Sequence, residues 1–126
     1  MSGIQIFLLL EALLWVPYGI YCLLVPGVLA DGATVTATSA TGVTELRAMY
    51  GGLQFAIGAG CIWGAVSEDL ERSAVWMLFL LTSGIGTARV IGLGLDGGMG
   101  AYTSLALVFE FATAIWSGRL LLQEAE

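Results

Sequence analysis

Residues Ala74–Leu95 read AVWMLFLLTSGIGTARVIGLGL, and Asp96-Gly97-Gly98 closes the run with a strong turn signal. Arg89 is the one charge in it. At ~1.5 Å per residue, a helix of this length matches a hydrocarbon core of ~30 Å. Lipid offers no partner to backbone N–H and C=O groups, so such a run crosses as an α-helix that pairs them internally. Three more stretches read the same way. One runs over about 4–27, interrupted by Glu11 and Pro17 and stopped by Pro26-Gly27; the others run over 45–66 and 102–122. The fold class expected is all-α: one integral membrane domain over residues 1–126, a four-helix bundle with short loops.

Composition agrees. Of 126 residues, 58% are hydrophobic and 11% charged, with a mean hydropathy of +0.91. Soluble domains carry charge on roughly a quarter of their residues, so this chain lacks the polar groups to cover a water-facing surface. Lys and His are absent; the basic residues are Arg47, Arg72, Arg89 and Arg119, against ten acids, for a net charge of −6. An acidic chain without a basic stripe argues against nucleic acid as a partner and against peripheral docking on anionic headgroups. Without His, imidazole catalysis and most transition-metal and haem sites are disfavoured. Cys22 and Cys61 each lie in an apolar stretch, where a free thiol packs as a small apolar group; a disulfide or metal site is the minor alternative. Neither cofactor nor metal is expected.

The N-terminal stretch differs from a signal peptide: Met1–Gln5 has no basic residue and the apolar run outlasts a usual h-region, despite Val28-Leu29-Ala30. It is read as a retained first span. Residues 30–44 form a polar extramembrane loop, in which the alternation Thr34-Val35-Thr36-Ala37-Thr38 could pair as a short strand. Thr44 is the expected N-cap of the second span, with Glu45 in its first turn. The charged segment 67–73 and the acidic tail 123–126 lie in water. Four spans put both termini and segment 67–73 on one side, and Trp63, Trp76 and Trp116 fall near it as an interfacial aromatic belt would. Arg72 and Arg119 lie on that side, Arg47 and Arg89 toward the other; because the latter pair reads as embedded, the termini tilt toward the cytoplasm.

Two small-residue stripes, Gly52-Ala56-Gly60-Gly64 and Gly84-Ala88-Gly92, suit close helix contact. They are expected to form a bundle seam, or alternatively a homo-oligomer interface.

A charge at mid-bilayer costs ~3 kcal/mol or more, so embedded charges pair and face inward. Arg89 lies ~10 Å below the Asp96 end of the third span and Glu110 ~12 Å below the start of the fourth. Equal depth on spans joined by a short turn predicts an Arg89–Glu110 pair. By three-and-four spacing, Arg47, Tyr50, Gln54, Gly58 and Cys61 share one face; so do Thr82, Gly86, Arg89 and Asp96, and so do Thr103, Glu110, Thr113 and Ser117. A shared polar pocket toward the 30–44 loop is expected, with Glu45, Arg47, Tyr50, Gln54, Arg89, Asp96 and Glu110 as ligand-binding residues. The competing reading is two buried ion pairs, Arg89–Glu110 and Glu45–Arg47, that fix helix register. Glu11 stands apart; Trp15, Tyr18 and Cys22 follow it on one face, and it reaches Gln54 or a neighbouring subunit.

The run Glu45-Leu46-Arg47-Ala48-Met49-Tyr50-Gly51-Gly52, with Arg89, Asp96-Gly97-Gly98 and Glu110, resembles the small bacterial membrane proteins grouped as domain of unknown function 4345. The resemblance covers most of the chain from Pro26 onward, and Glu11 lies outside its pattern. It implies a four-span bundle similar to the DoxX-like proteins and no particular activity.

Three functions compete. The first is a non-enzymatic bacterial inner-membrane protein, either a complex subunit or homo-oligomer, or a module binding a lipophilic small molecule or membrane lipid at the Arg47–Tyr50–Arg89–Glu110 pocket; an arginine pair near its mouth suits a carboxylate or phosphate headgroup. The second is a membrane-embedded acid–base enzyme (isomerase, cyclase or epoxide-opening), with Glu110 or Asp96 as acid or base and Tyr50 as donor. Ion or proton transport is third, because it needs a polar path through the whole bilayer.

Overall fold

The structure, a computed structural model, describes residues 1–123. Glu124 and Glu126 of the acidic tail lie outside the described residues. The chain is all-α, and four helices are long and apolar enough to cross a membrane: Gly3–Leu24, Ala40–Val66, Glu68–Asp96 and Ala101–Gln123. It is a membrane protein. Two compact units divide it, residues 1–71 and 72–126.

The first unit opens with α1 (Gly3–Leu24). Ser2 caps it in a capping box: its hydroxyl accepts from the Gln5 amide while its own N–H donates to the Gln5 side chain. Ser2 also donates to Glu71 Oε1 at 2.8 Å. A short helix, α2 (Val28–Gly32), comes next. Among the described residues no strand forms at Thr34–Thr38; Thr34 instead takes φ +56° and donates to the Ala33 carbonyl. An edge that could pair with it is missing from an all-helical neighbourhood, so the alternation has nothing to bind.

The second span starts earlier than hydropathy suggests. Ser39, extended at φ −151°, is its N-cap and accepts from the Gly42 amide, so α3 covers Ala40–Leu46 and Thr44 sits inside it. Thr44 turns its hydroxyl back on the Ala40 carbonyl. Polar residues belong to the helix here because the helix emerges from the bilayer. The same holds for the third span: Ser67 alone is extended, and α5 runs from Glu68 to Asp96. The segment expected as a loop is therefore its first two turns, with Glu68, Asp69 and Glu71 near the positive end of the helix dipole. Hydropathy locates the apolar part of a helix, and hydrogen bonding carries the helix past it.

Between α3 and α4 (Leu53–Val66) the backbone widens into a π-helical segment, Arg47–Gly52. The Leu53 N–H reaches the Ala48 carbonyl, one residue further than in an α-turn. Glycine at 51 and 52 removes the side chains that would crowd such a turn. α1 packs antiparallel on this segment and on α4. The contact is backbone to backbone: a Cβ built on Gly51 would lie 2.7 Å from Leu23 Cα, one on Gly19 2.5 Å from the Phe55 nitrogen, and one on Gly58 2.8 Å from the Val16 nitrogen. At Gly52 and Ala56 this corrects the small-residue seam. Gly51 and Gly58 approach α1, whereas Gly52 has only its own Arg47 carbonyl at 3.9 Å and Ala56 is exposed.

In the second unit α5 turns at Gly97 (φ +74°) and Gly98 (φ +95°), a left-handed conformation that favours glycine, into α6 (Ala101–Gln123). The two helices meet antiparallel, with Gly86 against Phe111 and Glu110 and Gly118 against Phe79. Gly84 and Gly92 have nothing within 4 Å, so the stripe Gly84-Ala88-Gly92 is not part of this contact.

Candidate functional site

Within the second unit Arg89 and Glu110 meet across α5 and α6. Arg89 Nη2 donates to Glu110 Oε1 at 2.7 Å, and Nε lies 3.2 and 3.1 Å from Oε1 and Oε2, so both carboxylate oxygens accept from one guanidinium. This is the fork geometry that makes arginine–carboxylate contacts strong and directional. Sequence places the two residues at one depth; the close approach at Gly86, where a Cβ would stand 3.5 Å from Glu110 Cβ, lets them touch. The pair is lopsided. The Glu110 side chain is 6% exposed and that of Arg89 27%.

The rest of the polar stripe around this pair is consumed locally. Thr82, Thr113 and Ser117 are buried, as the face assignment predicts. Yet Thr82 donates to the Leu78 carbonyl at 2.7 Å and Ser117 to the Thr113 carbonyl at 2.6 Å, within their own helices. Such bonds let hydroxyls sit in an apolar setting without lining a polar cavity. Asp96 is exposed at the end of α5, and no hydrogen bond joins it to Glu110 among the described residues.

In the first unit Arg47 goes elsewhere than expected. Its Nη1 donates to the Leu23 carbonyl and lies 3.4 Å from that of Leu24. These are orphan acceptors at the end of α1, where the dipole also favours a cation. Glu45 is exposed, and a Glu45–Arg47 ion pair does not form. Two adjacent carbonyls left without helical partners at the end of α1 compete better than a solvated carboxylate. Tyr50 lies half-buried in the π segment and Gln54 half-buried in α4. The face drawn through Arg47, Tyr50 and Gln54 assumes uniform 3.6-residue turns, whereas the wide turn at 47–52 rotates α3 by about one residue against α4. The Gly51-Gly52 pair is the signal that could have raised that suspicion.

Glu11 is buried and accepts from Trp15 Nε1 at 3.0 Å. Trp15 is its own i+4 neighbour, a spacing visible in the sequence. Cys22 and Cys61 are free and buried. Among the described residues no group of three or more His, Cys, Asp or Glu gathers with metal-binding geometry. A shallow cavity of about 230 Å³, lined by Pro26, Ala30, Val35, Val43 and Leu46 among others, lies beyond the end of α1.

The family described as a domain of unknown function (DUF4345) matches residues 3–121. The chain belongs to that family. The DUF4345 match starts with α1, so the domain takes in the first span and Glu11, which widens the resemblance read from Pro26 onward. The run 45–52, on which the resemblance was read, contains the wide turn 47–52 and the Arg47 cap. No curated protein and no solved structure matches the chain.

Proposed function

We propose that this DUF4345 protein is a non-catalytic module of the bacterial inner membrane, with cytoplasmic termini, that holds an anionic lipophilic molecule at the Arg89 guanidinium, alone or as a subunit of a larger assembly. The observation that carries the reading is the lopsided ion pair. A pair that only locks register gains from closing over both partners, because each exposed charge in hydrocarbon is penalised. Here the carboxylate is closed over, while the Arg89 side chain stays 27% exposed. A carboxylate or phosphate of an amphiphile meeting that edge would replace lost hydration with a charge-assisted contact. Tyr50 and Gln54 are kept as candidate hydrogen-bonding groups of the first unit, while Arg47 has a sufficient role as a helix cap.

The alternative, Glu110 as acid or base with Asp96 or Tyr50 assisting, is less supported because both Glu110 oxygens already accept from Arg89. It predicts that Glu110→Gln folds normally and loses turnover.

The test is uptake of dodecyl phosphate against dodecanol by the detergent-solubilised protein, followed by native mass spectrometry. Wild type and Arg89→Lys should retain the phosphate in preference to the alcohol, and Arg89→Gln, checked for unchanged helical content, should lose that preference. Equal retention of both compounds by wild type would end the proposal.

A further inference from the structure

We infer that the Gln123 end of α6 carries a phospholipid-headgroup site, with the Arg119 guanidinium holding the lipid phosphate and the adjoining face of α6 seating the acyl chain. This is separate from the Arg89 reading: Arg89 belongs to α5, and its partner Glu110 lies more than two turns before Arg119 on α6.

Arg119 is the odd member of the four arginines. Arg47 is bound to carbonyls, Arg89 to Glu110, and Arg72 also interacts within the protein. Arg119 is exposed and makes no hydrogen bond or ion pair among the described residues. Its helical neighbours at three and four residues are Ile115, Trp116, Leu122 and Gln123, so no carboxylate stands within reach along the described helix. A solvated surface arginine would need no partner, but Arg119 falls within Ala101–Gln123, the helix whose length and composition suit a membrane span. It is ~27 Å along α6 from Ala101, just inside the far boundary of a ~30 Å hydrocarbon core. At that depth the stem lies along acyl chains and the head reaches the phosphate layer.

The surroundings fit a lipid better than water. Trp116 is 47% and Ile115 59% exposed on the same side of the helix as Arg119. An indole at this level belongs to the interfacial belt, with its ring against acyl chain and its N–H toward headgroups. A shallow cavity of about 450 Å³ runs along this face, lined by Ala112, Ile115, Trp116, Arg119, Leu120 and Gln123. Its inner end is apolar and its outer end carries a guanidinium and an amide, the same order as chain, glycerol and phosphate in a lipid. The two guanidinium edges suit a phosphodiester. The net charge of −6 opposes docking on an anionic surface as a whole, so the site is local, one arginine to one phosphate, and does not depend on bulk attraction.

Spin-labelled phosphatidylglycerol and spin-labelled diacylglycerol, which lacks the phosphate, distinguish the headgroup from the chain. In reconstituted protein the motionally restricted fraction of each label should give wild type a preference for the phospholipid. Arg119→Gln should lower that preference about fivefold, the worth of one arginine near the phosphate layer, with helical content unchanged because the side chain has no partner among the described residues. Arg119→Lys, which keeps charge but not the fork, should fall between them. Arg119→Gln with the wild-type preference, or wild type with none, would overturn the assignment.

Discussion

Replacing Gly51 by alanine tests the contact on which the first unit is built. The new methyl would lie 2.7 Å from Leu23 Cα and 2.8 Å from Leu23 N and Cβ, where ordinary contact is 3.4–4 Å. The obstacle is backbone, so no rotamer change relieves it, and α1 must retreat by about 1 Å. That retreat also loosens the seats of Gly19 on Phe55 and Gly58 on Val16, and draws the Leu23 and Leu24 carbonyls off Arg47. Overpacking of this kind costs ~1–3 kcal/mol. Against it stands the ~1 kcal/mol by which alanine exceeds glycine in helix propensity. The net expectation is destabilisation by up to ~2 kcal/mol. Gly84→Ala is the internal control: nothing lies within 4 Å of its added Cβ, so only the propensity gain remains and the variant should be equal to or more stable than wild type. Unfolding by added SDS in mixed micelles, followed by circular dichroism, measures both. The two substitutions are chemically the same and the predicted signs are opposite. If Gly51→Ala proves as stable as Gly84→Ala, the close approach of α1 to the wide turn is wrong.

Three further outcomes rest on the polar contacts. Arg89→Leu should destabilise by ~3 kcal/mol by stranding the buried Glu110 carboxylate, while Arg89→Leu with Glu110→Leu should recover most of that loss, a coupling read from a double-mutant cycle in the same titration. Arg47→Ala uncovers two carbonyls at the end of α1 and should cost ~1–2 kcal/mol; amide exchange at Val25, whose N–H closes the last turn on Tyr21, should quicken, and an unchanged rate would deny the cap. Glu11→Gln keeps an acceptor for Trp15 Nε1 and should unfold like wild type, whereas Glu11→Leu leaves that buried donor without this acceptor and should lose ~1–3 kcal/mol, a difference that should also shift the tryptophan emission.

What sequence alone determined was set by the bilayer. Its thickness and its penalty on charge leave few ways to read 74–95 or 102–122, so the number of spans comes from hydropathy, and the turn at Gly97-Gly98 from the residues that tolerate a left-handed backbone. Arg89 and Glu110 were legible for the same reason: two embedded charges of opposite sign, at one depth on helices joined by a short turn, have little choice of partner. Tertiary structure decided what the bilayer leaves open. Glycine and alanine are small on every side of a helix, so which of them meets a neighbour depends on the neighbour, and α1 selected Gly51 and Gly58 over Gly52 and Ala56. Arg47 passed over Glu45 for carbonyls more than twenty positions away, which became acceptors only because α1 ends beside it. The wide turn at 47–52 is the same kind of decision: an extra residue in a helical turn is a small local penalty, and it is the packing of α1 on glycine backbone that favours keeping it.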